Sequence, residues 1–196
     1  MPITNTDIIR PDEGPTVING YDPTAAVDFL AAVNDGTDLT FVTQTADNND
    51  FRGLGFQNTP SSGTALFNTA DSIDQIVLGI RCRCFRGAMR IAVTLRDNAG
   101  AFTAFISSIE ELDFTTLETS FTTNSSGDPI TTTTIKSLEV NSFTAEPNQA
   151  GSSGDAFRII VSDIFVTVIS SNIIPTRTIT LDSGAITLDS GKITVQ

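Results

Sequence analysis

Two stretches between residues 75 and 95 constrain the fold class more than any other feature. In QIVLGIRCRCF, Ile76, Leu78, Ile80, Cys82 and Cys84 fall on alternate positions, and in MRIAVTL so do Met89, Ile91, Val93 and Leu95. A strand presents every second side chain to the same face. Each segment therefore reads as a strand with one apolar and one polar side. Phe85-Arg86-Gly87-Ala88 lies between them, and the pair reads as a hairpin. Asp97-Asn98-Ala99-Gly100 then turns the chain into a further strand, AFTAFIS.

The rest of the chain repeats this style. TDLTFVTQT, FTTLETSFTT and ITTTTIKSLEV are rich in threonine, a β-branched residue that favours strands. NSSGDP at 124–129 is a turn, 146–155 is a loop, and AFRIIVSDIFVTVIS supplies one or two more strands. Helical signals are sparse. Asp22-Pro23 offers an N-cap followed by proline at the first helical position, and Ala25, Ala26, Phe29, Leu30 and Val33 form an apolar stripe. One short helix over 24–33 is expected. Prolines and glycines interrupt residues 1–20, which read as an irregular arm. The expected architecture is all-β: a jelly-roll-like β-sandwich with one short helix, an extended N-terminal arm (1–20), the sandwich domain (21–171) and a short C-terminal β-repeat tail (172–196).

That tail is the second informative feature. Ile-Thr-Leu-Asp-Ser-Gly occurs at 179–184 and again at 186–191, and Ile193-Thr194-Val195 is a worn third copy. A helix is excluded, because a heptad seam needs spacings of three and four. A continuous strand is excluded too, because an odd period flips successive copies to opposite faces. The chain must therefore turn at each Asp-Ser-Gly, giving short strand-turn units with Ile179, Leu181, Ile186, Leu188, Ile193 and Val195 as their apolar residues. A few such strands cannot bury their apolar side alone. The tail is expected to oligomerise or dock on a partner; the alternative is that it folds back on its own sandwich.

The chemistry a chain of 196 residues could carry is narrowed by what it lacks. It has no histidine, which removes Ser-His-Asp and Cys-His nucleophilic sites and histidine-ligated zinc. The carboxylates of Glu110, Glu111 and Asp113, and of Asp71 and Asp74, read as solvated loop faces. NDGTD (34–38) and ADNND (46–50) offer oxygen ligands without the EF-hand spacing, and read as turns. No phosphate-binding loop or dinucleotide fingerprint occurs. Cys82 and Cys84, two apart on one strand face, read as small core residues. No catalytic residue, metal or cofactor is expected. A formal charge of −12 argues against free nucleic acid as a partner. No apolar run is long enough for a membrane span. The first residues lack the basic and apolar regions of a signal peptide, so a cytoplasmic origin is expected.

The cations are uneven. Arg81, Arg83, Arg86, Arg90 and Arg96 make up five of the eleven Lys and Arg residues. By alternation Arg81, Arg83, Arg90 and Arg96 point away from the apolar side. On a hairpin they would form one arginine stripe, an interface for an acidic partner: a second copy of the chain or another protein. A carbohydrate site built on aromatic platforms is disfavoured by the absence of Trp and the single Tyr.

The order of NDGTDLTFV, FRGLGFQN, IDQIVLGIRCRC and AMRIAVTLRDNAG resembles the β-sandwich domains of tailed-bacteriophage virion proteins, over about 22–106 and more loosely 157–170. Phe41 stands where tyrosine is common. The ITLDSG tail is similar to strand-turn repeats of phage fibre and capsid-associated proteins. The resemblance implies a non-enzymatic virion structural protein, made in the host cytoplasm. Most simply it is a capsid decoration (cement) protein that binds the major capsid protein or another virion protein as a homo-oligomer. The alternatives are a tail or head-fibre component, or a glycan-binding jelly-roll module for host attachment. No catalytic residues carry over.

Overall fold

The computed structural model describes residues 3–23, 28–44, 50–56, 65–85, 88–110, 112–147, 158–173, 186–189 and 192–195. Two six-stranded sheets face each other. The first contains β1 (Ile3–Ile9), β3 (Tyr21–Pro23), β4 (Val42–Gln44), β7 (Ser72–Phe85), β10 (Thr115–Phe121) and β12 (Arg158–Asn172). Its order is β10-β7-β12, after which β1 and the pair β4-β3 share the far edge of β12. The second contains β2 (Val17–Asn19), β5 (Asp50–Arg52), β6 (Leu54–Gly55), β8 (Met89–Arg96), β9 (Ala101–Ile109) and β11 (Glu139–Pro147), in the order β2-β5-β11-β8-β9 with β6 also on β11. This is an all-β, jelly-roll-like sandwich.

The alternation holds, and its apolar side is the core. Ile76, Leu78, Ile80, Cys82 and Cys84 are buried from one sheet, and Met89, Ile91, Val93 and Leu95 from the other. The hairpin reading is therefore corrected. β7 pairs with β10 and β12, whereas β8 pairs with β9 and β11. The two strands face each other across the core instead of lying side by side. One-sided alternation specifies which face is buried, but it is equally satisfied by a neighbour in the same sheet and by a strand in the opposite one. The β8–β9 hairpin does form. Asp97 caps its turn by accepting from the Ala99 and Gly100 amides, and it also accepts from the Ser125 amide and hydroxyl.

Other expectations are revised by local chemistry. The N-terminal segment is not an irregular arm: β1 pairs along β12 from Ile3↔Asn172 to Ile9↔Val166. The helix α1 spans Phe29–Asn34 with Asp28, not Asp22, as its N-cap, because Asp22 and Pro23 lie in β3. ITTTTIKSLEV is not one strand. Thr131 and Thr134 form a reciprocal capping box that starts α2 (Thr132–Lys136), and β11 begins at Glu139. A short 3-10 turn, Leu66–Thr69, is started by the buried Asp7, which accepts from the Leu66 and Phe67 amides. Residues 158–170 belong to one strand, β12, which runs on to Asn172 and bulges between Val161 and Asp163.

Aromatic and amide contacts tie the layers together. Phe51 stacks on Phe143 in the second sheet at 4.7 Å, and Tyr21 of the first sheet meets both rings edge-on at 5.4 and 6.0 Å. The buried Gln44 on β4 donates to the Ala145 carbonyl across the core and accepts from the Ile159 amide, both at 3.0 Å. In the tail, β13 (Ile186–Asp189) and β14 (Lys192–Val195) form an antiparallel hairpin, with Ile186↔Val195 and Leu188↔Ile193 in register. It belongs to neither large sheet. Ile179 and Leu181 lie outside the described residues.

Candidate functional site

The outer face of the β7 sheet carries the polar chemistry of the molecule. On β7 this face consists of Gln75, Val77, Gly79, Arg81 and Arg83, the residues between the buried ones. The register places Ser120 opposite Val77, Glu118 opposite Gly79 and Thr116 opposite Arg81. On the other side Phe165 lies opposite Gly79 and Asp163 opposite Arg81.

At one end, carboxylates from a loop lock the sheet. Asp38 accepts two hydrogen bonds from Arg81, at 2.7 and 2.6 Å, and a third from the Ser162 hydroxyl at 2.9 Å. The Arg81 donors outweigh burial and hold the Asp38 carboxyl below its ordinary range. Ser162 is positioned by the β12 bulge. The next residue, Asp163, is buried and takes a bidentate contact from Arg10, at 3.1 Å from both Nε and Nη2. Burial outweighs that pairing and pushes the Asp163 carboxyl up. Asp35 accepts from Thr37 and Thr40 in the same loop. The NDGTD carboxylates are thus spent on the protein's own donors, and no cluster of metal-binding side chains exists among the described residues.

Arg83 differs from its neighbours. Its guanidinium lies over the Phe114 ring, 4.9 Å from the centroid, while that of Arg81 lies 5.8 Å away. Phe41 packs on Phe114 at 6.4 Å. Among the described residues Arg83 has no ion-pair partner, and its Nε is buried without an acceptor. The sequence stripe is therefore split. Arg81 and Arg83 lie on one outer face, and Arg90 and Arg96 lie on the opposite one. There the register sets Arg90 against Glu146 and Arg96 against Glu139, at 3.9 and 3.6 Å.

Two rows further along, the same face opens into a shallow groove lined by Gln75, Val77, Glu118, Thr119 and Ser120. Among the described residues the side chains of Gln75, Glu118 and Ser120 have no hydrogen-bond partner. Beside the groove, the half-exposed Phe165 ring crosses β7 over Gly79, where any Cβ would collide with it. Sequence reasoning missed this groove. The signal was available: a glycine on the outer face of a strand that is otherwise fully substituted marks a close approach.

Cys82 and Cys84 are buried and unpaired with each other, and burial pushes their thiols up to about 12 and about 11. They are core residues, as their spacing indicates. Ile186, Leu188, Ile193 and Val195 lie in the hairpin strands, apart in the pairing scheme from every arginine of the stripe.

No protein-family model matches the chain, and no curated protein matches it. Among solved structures it is similar to the carbohydrate-binding module CBM6cm-2 of Cellvibrio mixtus lichenase 5A in complex with cellotriose, at TM-score 0.39 and 9% identity over 83% of this chain and 95% of that one. It is also similar to the CBM22-1 xylan-binding domain of Paenibacillus barcinonensis Xyn10C, at TM-score 0.36 and 11% identity over 82% and 92% of the two chains. A third is CBM29_1, a family 29 carbohydrate-binding module from Piromyces equi, at TM-score 0.33 and 11% identity over 84% and 90%. Scores of this size leave the ligand of this chain to be argued from its own residues.

Proposed function

We propose that the protein is a non-catalytic binding module whose outer β7 face takes a saccharide in the groove between β7 and β10. One observation carries this reading: Gln75, Glu118 and Ser120, none hydrogen-bonded to another described residue, line one groove together with the apolar Val77. A sugar presents hydroxyls as paired donors and acceptors around an apolar ring face. An amide, a carboxylate and a hydroxyl match the hydroxyls, and Val77 matches the ring. The neighbouring Phe165 ring walls the next row. Sheet strands position all of these groups, so little ordering is needed on binding.

The test is a screen against neutral oligosaccharides, followed by calorimetry on Gln75→Ala and Glu118→Ala. Each substitution should weaken binding by roughly fivefold or more, the equivalent of about 1 kcal/mol per hydrogen bond. Binding unchanged in both variants, or no saccharide bound at all, would remove this reading.

A second reading keeps the assembly role: a virion structural component, such as a capsid decoration or fibre protein. The observation favouring it is the β13–β14 hairpin, which is paired with neither sheet. A two-stranded hairpin is marginal alone and calls for a surface to complete it. Binding of the purified chain to phage shells, lost on removal of residues 173–196, would support it.

A further inference from the structure

We infer that the groove selects a saccharide carrying an ammonium group, with the Glu118 carboxylate and the Phe165 ring as its cation site. This rests on the saccharide reading and sharpens it, by naming the class of sugar and the two residues that choose it.

The row that ends the groove is built around Gly79. The register sets Glu118 of β10 on one side of this glycine and Phe165 of β12 on the other. A Cβ at Gly79 would meet the Cζ, Cε1 and Cε2 atoms of Phe165, so the far edge of the ring fills the space a side chain would take. The ring therefore lies across β7 and reaches toward the strand that carries Glu118. It is half-exposed, and Glu118 is exposed. The face of an aromatic ring is electron-rich, and a carboxylate in the same row adds a full negative charge. Together they favour a cation over a neutral hydroxyl.

The groove brings no cation of its own. Among the described residues Glu118 makes neither an ion pair nor a hydrogen bond. Arg81, one row further along β7, is held by Asp38, and Arg10 is held by Asp163 next to the Phe165 row. A neutral sugar would meet Glu118 with a hydroxyl. An amino sugar would meet it with an ammonium, and a charge-assisted hydrogen bond is roughly twice as strong as a neutral one. The rest of the groove still suits a sugar: Gln75 and Ser120 for its hydroxyls, Val77 for an apolar ring face. The formal charge of −12 draws such a ligand in. It repels the acidic counterpart, a uronic acid, which would set a second carboxylate against Glu118.

Calorimetry on the full chain tests this with trisaccharides of glucose, N-acetylglucosamine and glucosamine in the same linkage. They differ only in the substituent on one ring carbon: hydroxyl, acetamide or ammonium. At about pH 6 the amine is protonated. The glucosamine form should bind about tenfold more tightly than the glucose form, and the advantage should shrink as salt is added. Glu118→Gln keeps hydrogen-bonding atoms and removes the charge, so the ratio of the two affinities should fall to about one. Phe165→Leu keeps apolar bulk without the ring, so the ratio should fall about threefold. Circular dichroism melts confirm that both variants fold. A glucose form that binds as tightly as the glucosamine form, or a preference that survives Glu118→Gln, would overturn the inference and leave the saccharide reading standing. A lysine tripeptide that binds as tightly as the glucosamine form would overturn it too, since charge alone would then suffice. Binding of none of the three trisaccharides would overturn both.

Discussion

The two outer faces of the sandwich carry the same pair of residues and use them differently. On the β8 sheet, Arg90 and Arg96 meet Glu146 and Glu139 straight across the strand pair, and the arginines are half or more exposed. On the β7 sheet, Arg81 and Arg83 find no acid in the adjacent strands within their rows apart from Asp163, which Arg10 already holds. Their partners come from outside the sheet: Asp38 from the loop after α1, and Phe114 from the approach to β10. A cross-strand pair neutralises charge and leaves a plain solvated surface. A pair completed by loops builds a shaped one, in which one cation is locked and the other is presented.

That contrast breaks most severely at Arg10 and Asp163. Asp163 is buried, and Arg10 supplies its compensating charge. Arg10→Ala should cost about 3–5 kcal/mol at neutral pH, the usual penalty for leaving a buried charge unpaired. The pH dependence has a definite sign. Burial raises the Asp163 carboxyl in the folded protein above its unfolded value. Its favourable contribution is therefore complete below the unfolded value and is lost as pH rises through the folded one. The Arg10→Ala defect should shrink as pH falls toward the carboxylate range. Urea melts at neutral and mildly acidic pH check this; an equal defect at both would show that lost packing, not charge, is responsible.

Asp38 comes next. Asp38→Ala removes the acceptor for both Arg81 and Ser162. The pair is about one-third exposed on each side, so solvent screening limits the effect to about 1 kcal/mol. Here the sign reverses. The folded carboxyl is held low by Arg81, so its stabilisation is present above the unfolded value and fades as pH falls through the folded one. The sharper consequence is local. Loop 35–41 would lose its anchor to the sheet, and hydrogen exchange there should rise while exchange in β7 stays slow.

The comparison also separates what the sequence carried from what it did not. Alternation in 76–95 specified the buried faces residue by residue, because burial of one strand side depends only on period. It could not say that β7 and β8 lie in opposite sheets, since that depends on which distant strands, β10, β11 and β12, arrive beside them. The same gap hid the division of the arginines. Within the tail, the odd period demanded a turn at Asp-Ser-Gly, and the β13–β14 hairpin turns at the second copy. Residues 1–20 looked like an arm because Pro2, Pro11, Gly14, Pro15 and Gly20 punctuate them, yet ITNTDII between the first two prolines is rich in β-branched residues, and the fifteen-residue β12 supplies its partner. The groove was illegible because it needs the register that sets Ser120 against Val77 and Phe165 against Gly79.

The smallest expected effect lies on the opposite face. Arg90→Gln and Arg96→Gln each break a cross-strand pair whose nitrogen and oxygen are more than 3.5 Å apart, with the arginine at least half exposed. Two long side chains must be ordered to hold such a contact, and water screens what remains. Each variant should shift stability by no more than about 0.5 kcal/mol, and the double variant should be additive, because the rows are six residues apart on β8. Urea melts of the single and double variants check this; a loss as large as that of Asp38→Ala would show that the exposed cross-strand pairs are as ordered as the loop-completed Arg81–Asp38 pair, and the distinction between the two faces would fail.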